Sequence, residues 1–471
     1  MKPTALITTG CLALVTGLPA AAEPKPKPNI LLIVSDDQGY ADAGFQGCGD
    51  IPTPHLDQLA REGLICTSGY VSHPFCSPTR AGLMTGRYQQ RFGHENNVYF
   101  DPSDHREGLP TSEKLLPAFL AEAGYVTGWI GKWHLGAAPE FRPLSRGFKE
   151  TFGFIGGGHR YQDWKVNPAS EYLVPIERNG TPVEVTGHLT TAFGEEAGAF
   201  IRRHRTDPWF LYLAFNAPHT PHEPTAERLA KFSSIPDPKR RKYAAQVSLM
   251  DDAIGDTLAA LKDSAQDTRT LVFFFSDNGG PIGANGNGSI NSPLRAGKGS
   301  VYEGGVRVPF VVRWTGRLPA GRTYGHPVCS LDVFATALAC AGQALPTDRK
   351  YDSVNLLPYL GGDQSGPPHD RLFWRSGPPA QAGRRTLPSG RRQRGNQGPG
   401  RHPGRRCQTT GRHPGLLEQG TGSSRLPRPR RAQTSHNRQK QTRLSREKSR
   451  PGPLKPPARK YTSPSGHFRL C

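Results

Sequence analysis

Cys76-Ser77-Pro78-Thr79-Arg80, running on into Ala81-Gly82-Leu83-Met84-Thr85-Gly86-Arg87, sets a reactive side chain beside a fixed positive charge. His73-Pro74-Phe75 reads as extended, because a residue before proline avoids the α region. Ser77 suits a helix cap and Pro78 its first turn. Cys76 is then expected at a helix N-terminus, where free N–H groups and the macrodipole favour negative charge. Arg80 falls on the same turn and can point back at the same place. A reactive group, a helix end and a guanidinium aimed at one spot describe an oxyanion site. A cysteine before proline alone would read as a buried free thiol; the whole string argues for chemistry.

Two pairs of oxygen-bearing residues have the types for a cation. Asp36-Asp37 ends the apolar run Asn29 to Ser35, and Asp277-Asn278 follows the run Thr270 to Phe275. Adjacent carboxylates repel unless a cation holds them. Four oxygen donors suit a hard ion, Ca²⁺ or Mg²⁺, whereas zinc prefers nitrogen or sulfur. Lys132 and His134, two apart in Gly131-Lys132-Trp133-His134, point to one side on extended backbone. They pair a fixed charge with a group titrating near neutrality. His219 stands just past another apolar run, in Ala217-Pro218-His219-Thr220-Pro221. His159 and Arg160 lie in the glycine-rich stretch Phe152 to Tyr161, a loop that either lines a pocket or lies mobile on the surface, and they are candidate substrate contacts.

These residues need a scaffold that gathers strand ends. The short continuous apolar runs read as parallel strands buried on both faces: Asn29 to Ser35, Tyr125 to Ile130, Trp209 to Phe215 and Thr270 to Phe275, with Phe310 to Arg313 closing the core. Helical patterns lie between them, from Thr53-Pro54 to a stop at Gly63, over Ser112 to Ala123, Thr190 to His204, Lys239 to Ala265 and Asp332 to Cys340. In such α/β sheets the carboxyl ends of the strands form the ligand crevice.

The Cys-x-Pro-x-Arg…Thr-Gly-Arg string, Gly131-Lys132-Trp133-His134, Ala217-Pro218-His219-Thr220-Pro221 and Gly297-Lys298-Gly299 resemble the motifs of the type I sulfatases of the alkaline phosphatase superfamily, of the arylsulfatase and N-acetylgalactosamine-6-sulfatase kind. The resemblance holds to about Arg375. It implies a three-layer α/β/α fold with a large, mostly parallel central sheet. It implies that Cys76 is oxidised to formylglycine by a formylglycine-generating enzyme, and that the hydrated aldehyde attacks sulfur. It implies one Ca²⁺, with Mg²⁺ as the alternative, on Asp36, Asp37, Asp277, Asn278 and residue 76. Arg80, Lys132, Lys298 and His219 would neutralise the sulfate, His219 or Lys298 would protonate the leaving oxygen, and His134 would take the proton that expels the sulfate. Hydrolysis of phosphate or phosphonate esters in the same pocket is the alternative within the superfamily.

Length and charge divide the chain. The 471 residues allow a large domain and a smaller one. Lys2, the apolar run Ala5 to Leu18 and Ala20-Ala21-Ala22 read as a signal peptide over residues 1–22, implying a periplasmic or secreted protein with no membrane span. Residues 23–375 would form the catalytic domain, with 37 basic and 37 acidic residues in Met1 to Arg375. Residues 376–471 hold 23 Lys and Arg against Glu418 and Glu447, so the whole net charge of +21 sits there. That segment is rich in Arg, Pro, Gly, Gln and Ser, and has too little apolar surface to offset the entropy of ordering. It stands where the family's small antiparallel C-terminal subdomain is expected. Two readings stay open: a basic tail that binds polyanions, or an out-of-frame product that leaves the enzyme truncated and inactive. The abrupt boundary and the arginine–proline–glycine bias favour the second. The eight cysteines show no metal-type spacing, and a single disulfide is compatible with export but unassigned.

Overall fold

The computed structural model describes residues 27–375. The expected signal segment and the basic tail lie outside the described residues. The strands are β1 (Asn29–Ser35), β2 (Leu64–Cys66), β3 (Gly69–Tyr70), β4 (Val126–Lys132), β5 (Glu150–Phe154), β6 (Ile176–Arg178), β7 (Thr181–Val183), β8 (Trp209–Ala214), β9 (Thr270–Ser276), β10 (Phe310–Arg313), β11 (Arg322–Tyr324) and β12 (Val328–Cys329). All except β3 and β12, which pair with each other, form one sheet in the order β11-β2-β10-β9-β1-β8-β4-β5-β6-β7. The centre, β9-β1-β8-β4-β5, is parallel. On one flank β10 runs antiparallel to both β9 and β2; on the other, β6 runs antiparallel to β5 and β7.

The continuous apolar runs are explained by burial on both faces. Ile30, Leu32 and Val34 of β1 join one core cluster, while Leu31 and Ile33 join the other. β9 divides in the same way, Leu271, Phe273 and Phe275 against Val272 and Phe274. Helices α1 (Pro54–Arg61), α2 (Cys76–Thr85), α3 (Leu116–Glu122), α4 (Leu189–Arg203), α5 (Ala226–Ala230), α6 (Pro238–Asp263), α7 (Glu303–Val306), α8 (Asp332–Cys340) and α9 (Leu357–Gly361) complete the described fold. Leu83 and Met84 of α2, Leu116 and Leu120 of α3, and Phe334 and Leu338 of α8 cover the first face. Leu56 and Leu59 of α1, Phe193 and Phe200 of α4, and Ile254 and Leu258 of α6 cover the second. Each such side chain contributes about 1.5–3 kcal/mol by leaving water. The three-layer α/β/α expectation is met.

Local readings differ from the structure where distant partners take over. Thr53 does not cap α1 with its side chain. Asp251 of α6 does so instead, accepting from the N–H groups of His55 at 3.1 Å and Leu56 at 2.8 Å. Phe152 to Phe154 belong to β5 rather than to a loop. Cys48, Cys66, Cys76, Cys329 and Cys340 are all unpaired thiols, so no disulfide forms among the described residues. No helix among the described residues is long and apolar enough to cross a membrane.

Candidate active site

Sheet register brings the chemistry to one level. Val34 pairs with Ala214 and Phe275, and Ala214 pairs with Gly131, so β1, β8, β9 and β4 all end together. The pairing continues past the strands: Asp277 N–H donates to the Ser35 carbonyl at 2.9 Å, and Asp36 N–H to the Ala217 carbonyl at 3.0 Å. Asp36-Asp37, Lys132, the 216–219 turn and Asp277-Asn278 therefore leave the sheet side by side. α2 delivers Cys76 at its first turn, and the Gly299 N–H donates to the Pro74 carbonyl at 2.9 Å, which folds the Lys298 loop over that helix start.

The carboxylate oxygens of Asp36, Asp37 and Asp277 and the Cys76 sulfur lie within 4.8 Å of one another, all buried. Each acid meets a cation. Lys132 Nζ is 2.6 Å from Asp36 Oδ2. Arg80 places Nη2 at 2.8 Å and Nε at 3.0 Å from Asp277 Oδ2. Lys298 Nζ lies 2.6 Å from Asp37 Oδ1 and 3.2 Å from Cys76 Sγ. His219 Nε2 is 3.5 Å from Asp37 Oδ2, and its Nδ1 lies 2.6 Å from the Thr220 carbonyl.

The donor set fits a hard cation. Asn278 Nδ2 donates to Asp37 Oδ1 at 2.7 Å, while Asn278 Oδ1 is buried with no hydrogen-bond partner among the described residues. Such an orphan acceptor costs about 1–3 kcal/mol. On a side chain that touches Asp37, it adds a fourth oxygen donor to the three carboxylates, and oxygen donors suit Ca²⁺ or Mg²⁺.

Burial sets the protonation states. It raises Asp277, helped by the charge of Asp36, and Arg80 offsets only part of this. Burial also raises Asp37, but the Lys298 ammonium and His219 outweigh it and hold that carboxyl below the ordinary range. The Cys76 thiol is pushed up by burial despite Lys132 and Lys298. Desolvation works against the ammonium of Lys298, yet Asp37 and its neighbours hold it well above the usual lysine value. Burial, then the positive charges of Lys132 and Arg80, keep His134 neutral, and burial lowers His219 to about 4.

Cys76, Arg80, Lys132, His134, His219, Lys298, Asp36, Asp37, Asp277 and Asn278 thus converge, but not always as the local pattern implies. Helix α2 begins at Cys76 with Phe75 at its cap, and Ser77 does not cap it. Arg80 lies wholly buried beneath Asp277. The strand ends at Lys132, and His134 takes a left-handed backbone with φ 62°, so alternation does not aim its ring. A Cβ on Gly157 would stand 2.6 Å from His134 Nε2, so the glycine there lets the loop close on that ring. His159 is not presented to the pocket. It is 1 % exposed, packs on Phe154 and Trp164, and sets its two ring nitrogens 2.6 and 2.8 Å from the Arg160 and Val174 carbonyls. Arg160 is engaged by Glu223, 2.6 Å away.

Several participants gave no sequence signal. Tyr212 OH lies 3.3 Å from Arg80 Nη1, Asn287 Nδ2 donates to the Asp37 carbonyl at 3.3 Å, and Tyr161 OH lies 2.6 and 2.8 Å from the Asn216 and His219 carbonyls. Their partners are distant in the chain, so only pairing in space reveals them.

A family model described as Sulfatase matches residues 28–343. The N-acetylgalactosamine-6-sulfatase of Canis lupus familiaris is 39% identical over 388 residues, covering 77% of this chain and 72% of that protein. The N-acetylgalactosamine-6-sulfatase of Homo sapiens is 39% identical over 360 residues, covering 73% and 67%. A crystal structure of Ps i-CgsB in complex with k-i-k-neocarrahexaose superposes with a TM-score of 0.69 at 41% identity, covering 73% of this chain and 78% of that one.

Proposed function

Since this chain belongs to the sulfatase family and is a sulfuric ester hydrolase of the alkaline phosphatase superfamily, we propose that it is exported and cleaves sulfate monoesters of carbohydrate, using a formylglycine made from Cys76 and a bound Ca²⁺. The observation that carries this reading is the buried cluster of three carboxylates and Cys76, with the orphaned Asn278 Oδ1 on a side chain that touches Asp37. Carbohydrate is favoured because one similar protein is named for an N-acetylgalactosamine sulfate and another was crystallised with a neocarrahexaose. The signal-like segment over residues 1–22 supports export.

Asp36, Asp37, Asp277 and Asn278 would hold the cation, with residue 76 completing the set. When bound, the cation neutralises charge on the sulfate oxygens. Oxidised to formylglycine by a formylglycine-generating enzyme, residue 76 supplies the nucleophilic hydroxyl as its hydrate.

The remaining work falls to this chain's own side chains. Lys132 and Arg80 set positive charge directly against Asp36 and Asp277, so the buried acids are paired rather than left alone. Lys298, between Asp37 and residue 76, supplies positive charge where the sulfate oxygens gain charge in the transition state. His219 donates Nδ1–H to the Thr220 carbonyl, which turns Nε2 toward the site. Burial keeps this ring neutral until an anionic ester arrives; that charge favours the imidazolium, which then protonates the leaving oxygen. His134 is neutral, and its buried Nδ1 has no partner among the described residues, so it can accept the proton whose removal expels sulfate. His159, buried with both ring nitrogens on backbone carbonyls, is given no substrate contact in this reading, while Arg160, partly exposed in its pair with Glu223, stays a candidate contact.

The test is the full chain, assayed after mass analysis of the Cys76 peptide shows the aldehyde. A sulfated galactosamine oligosaccharide should release inorganic sulfate, and an aryl sulfate should turn over faster than the matching aryl phosphate. Faster turnover of the phosphate, or no sulfate release from aldehyde-bearing protein, refutes it.

A further inference from the structure

We propose that Ser77 and His94 are positioning residues that hold His134 in register with residue 76, through buried hydrogen bonds and without touching substrate. The inference rests on the reading that His134 accepts the proton from residue 76.

Ser77 follows Cys76 directly, on the first turn of α2, and is 0 % exposed. It does none of the usual work of a serine at a helix start. Its Oγ instead donates to the His134 carbonyl at 2.6 Å, across 57 residues of chain. Its backbone N–H donates to Asn97 Oδ1 at 3.0 Å. His94 Nε2 lies 2.7 Å from the same Oγ, and His94 is itself buried at 5 % exposure. Ser77 has one proton. The His134 carbonyl can only accept, so the Ser77 proton goes to it, and Oγ accepts from the Nε2–H tautomer of His94, a ring that also meets the Gly108 backbone. The three groups then form a directed chain from His94 through Ser77 to the backbone of His134.

That backbone needs holding. His134 has φ 62°, the left-handed region that disfavours residues with a Cβ. Its N–H donates to the Ile155 carbonyl at 3.0 Å and its carbonyl accepts from Ser77, so both polar groups of the peptide are pinned. At the ring, Nδ1 has no hydrogen-bond partner among the described residues, and the Gly157 loop only packs against the Nε2 edge. The ring's direction is therefore set by the main chain, and the main chain is tied to the residue beside the nucleophile. One hydroxyl links the two groups that must exchange a proton.

The test compares Ser77→Ala, His94→Leu, His94→Gln and His134→Ala in the full chain, each checked by mass for conversion of Cys76. Ser77→Ala and His94→Leu should lower kcat at least about tenfold at little-changed KM, since a misplacement of about 1 Å can cost about a hundredfold. His94→Gln, which keeps an N–H donor, should recover most of the rate. A second readout does not depend on turnover: crystals of the unconverted Ser77→Ala protein should show the His134 peptide rotated and its ring displaced. Converted Ser77→Ala with kcat close to wild type, or a His134 that has not moved, overturns the proposal. Should Ser77→Ala not fold, the split between His94→Leu and His94→Gln decides, and equal rates overturn it. Full activity in His134→Ala would instead sink the role given to His134, which separates that failure from failure of the clamp.

Discussion

Two buried acidic clusters lie only a few residues apart in this chain, and they are opposites. At Asp42 every oxygen is engaged. Oδ1 accepts from Arg240 Nη1 at 2.6 Å, and Oδ2 accepts from Tyr243 OH at 2.7 Å, Ile290 N–H at 3.0 Å and Gly39 N–H at 3.1 Å. Arg240 spends its other nitrogens on Asp50, at 2.9 and 2.7 Å. At Asp36, Asp37 and Asp277 three carboxylates share one place, and Asn278 Oδ1 and His134 Nδ1 have no partner among the described residues. Buried charge is common to both. The difference is whether the protein completes its own hydrogen bonds, and a group left incomplete beside like charges marks a place built for something else.

The sharpest way to break this contrast is to remove ligands. Asp37→Ala or Asp277→Ala should lose the bound metal, by elemental analysis, and at least about a thousandfold in kcat/KM, a loss on the order of 4 kcal/mol in transition-state stabilisation. Stoichiometric Ca²⁺ in either variant would end the site assignment. Cys76→Ala should be inactive while folding normally by circular dichroism, and activity in it would end the nucleophile assignment.

Asn278→Ala is expected to be milder, since it removes one of roughly six to eight oxygen ligands and leaves every carboxylate. Its activity should fall at low cation and return as Ca²⁺ is titrated in. Loss that no concentration of Ca²⁺ or Mg²⁺ restores would mean that the orphan oxygen serves something other than a cation.

The satisfied cluster should respond through stability alone. Arg240→Met leaves Asp42 buried without its cation, and breaking such a pair costs about 3–5 kcal/mol. Chemical denaturation should show that loss, with metal content and KM unchanged. A normal denaturation midpoint with reduced metal would show that the two clusters are coupled.

The smallest effect concerns acid. Burial lowers His73, His94 and His188 each to about 4, from an ordinary 6.5. Between these values the unfolded chain binds more protons than the folded one, so stability rises with pH there. The unfolding midpoint should therefore drop as pH falls from about 6.5 toward 4. A midpoint that is flat over that window would mean these rings are protonated in the folded protein.

Features whose signal is local were legible in the chain. An apolar run buried on both faces has no polar alternation, so β1 and β9 were readable within a residue of their ends. Polar pairs that are neighbours in sequence, Asp36-Asp37 and Asp277-Asn278, come together because strand register carries them to one level. The inward packing of His159 was not readable, because a loop pattern does not tell a ring that packs inward from one that faces a pocket. Which group meets which came from the fold: Arg80 beneath Asp277, Lys132 on Asp36, Lys298 between Asp37 and Cys76, and Ser77 on the His134 carbonyl. The physical reason is range. Helix and strand periodicity act over a few residues, whereas these contacts join groups that the fold alone brings within hydrogen-bond distance.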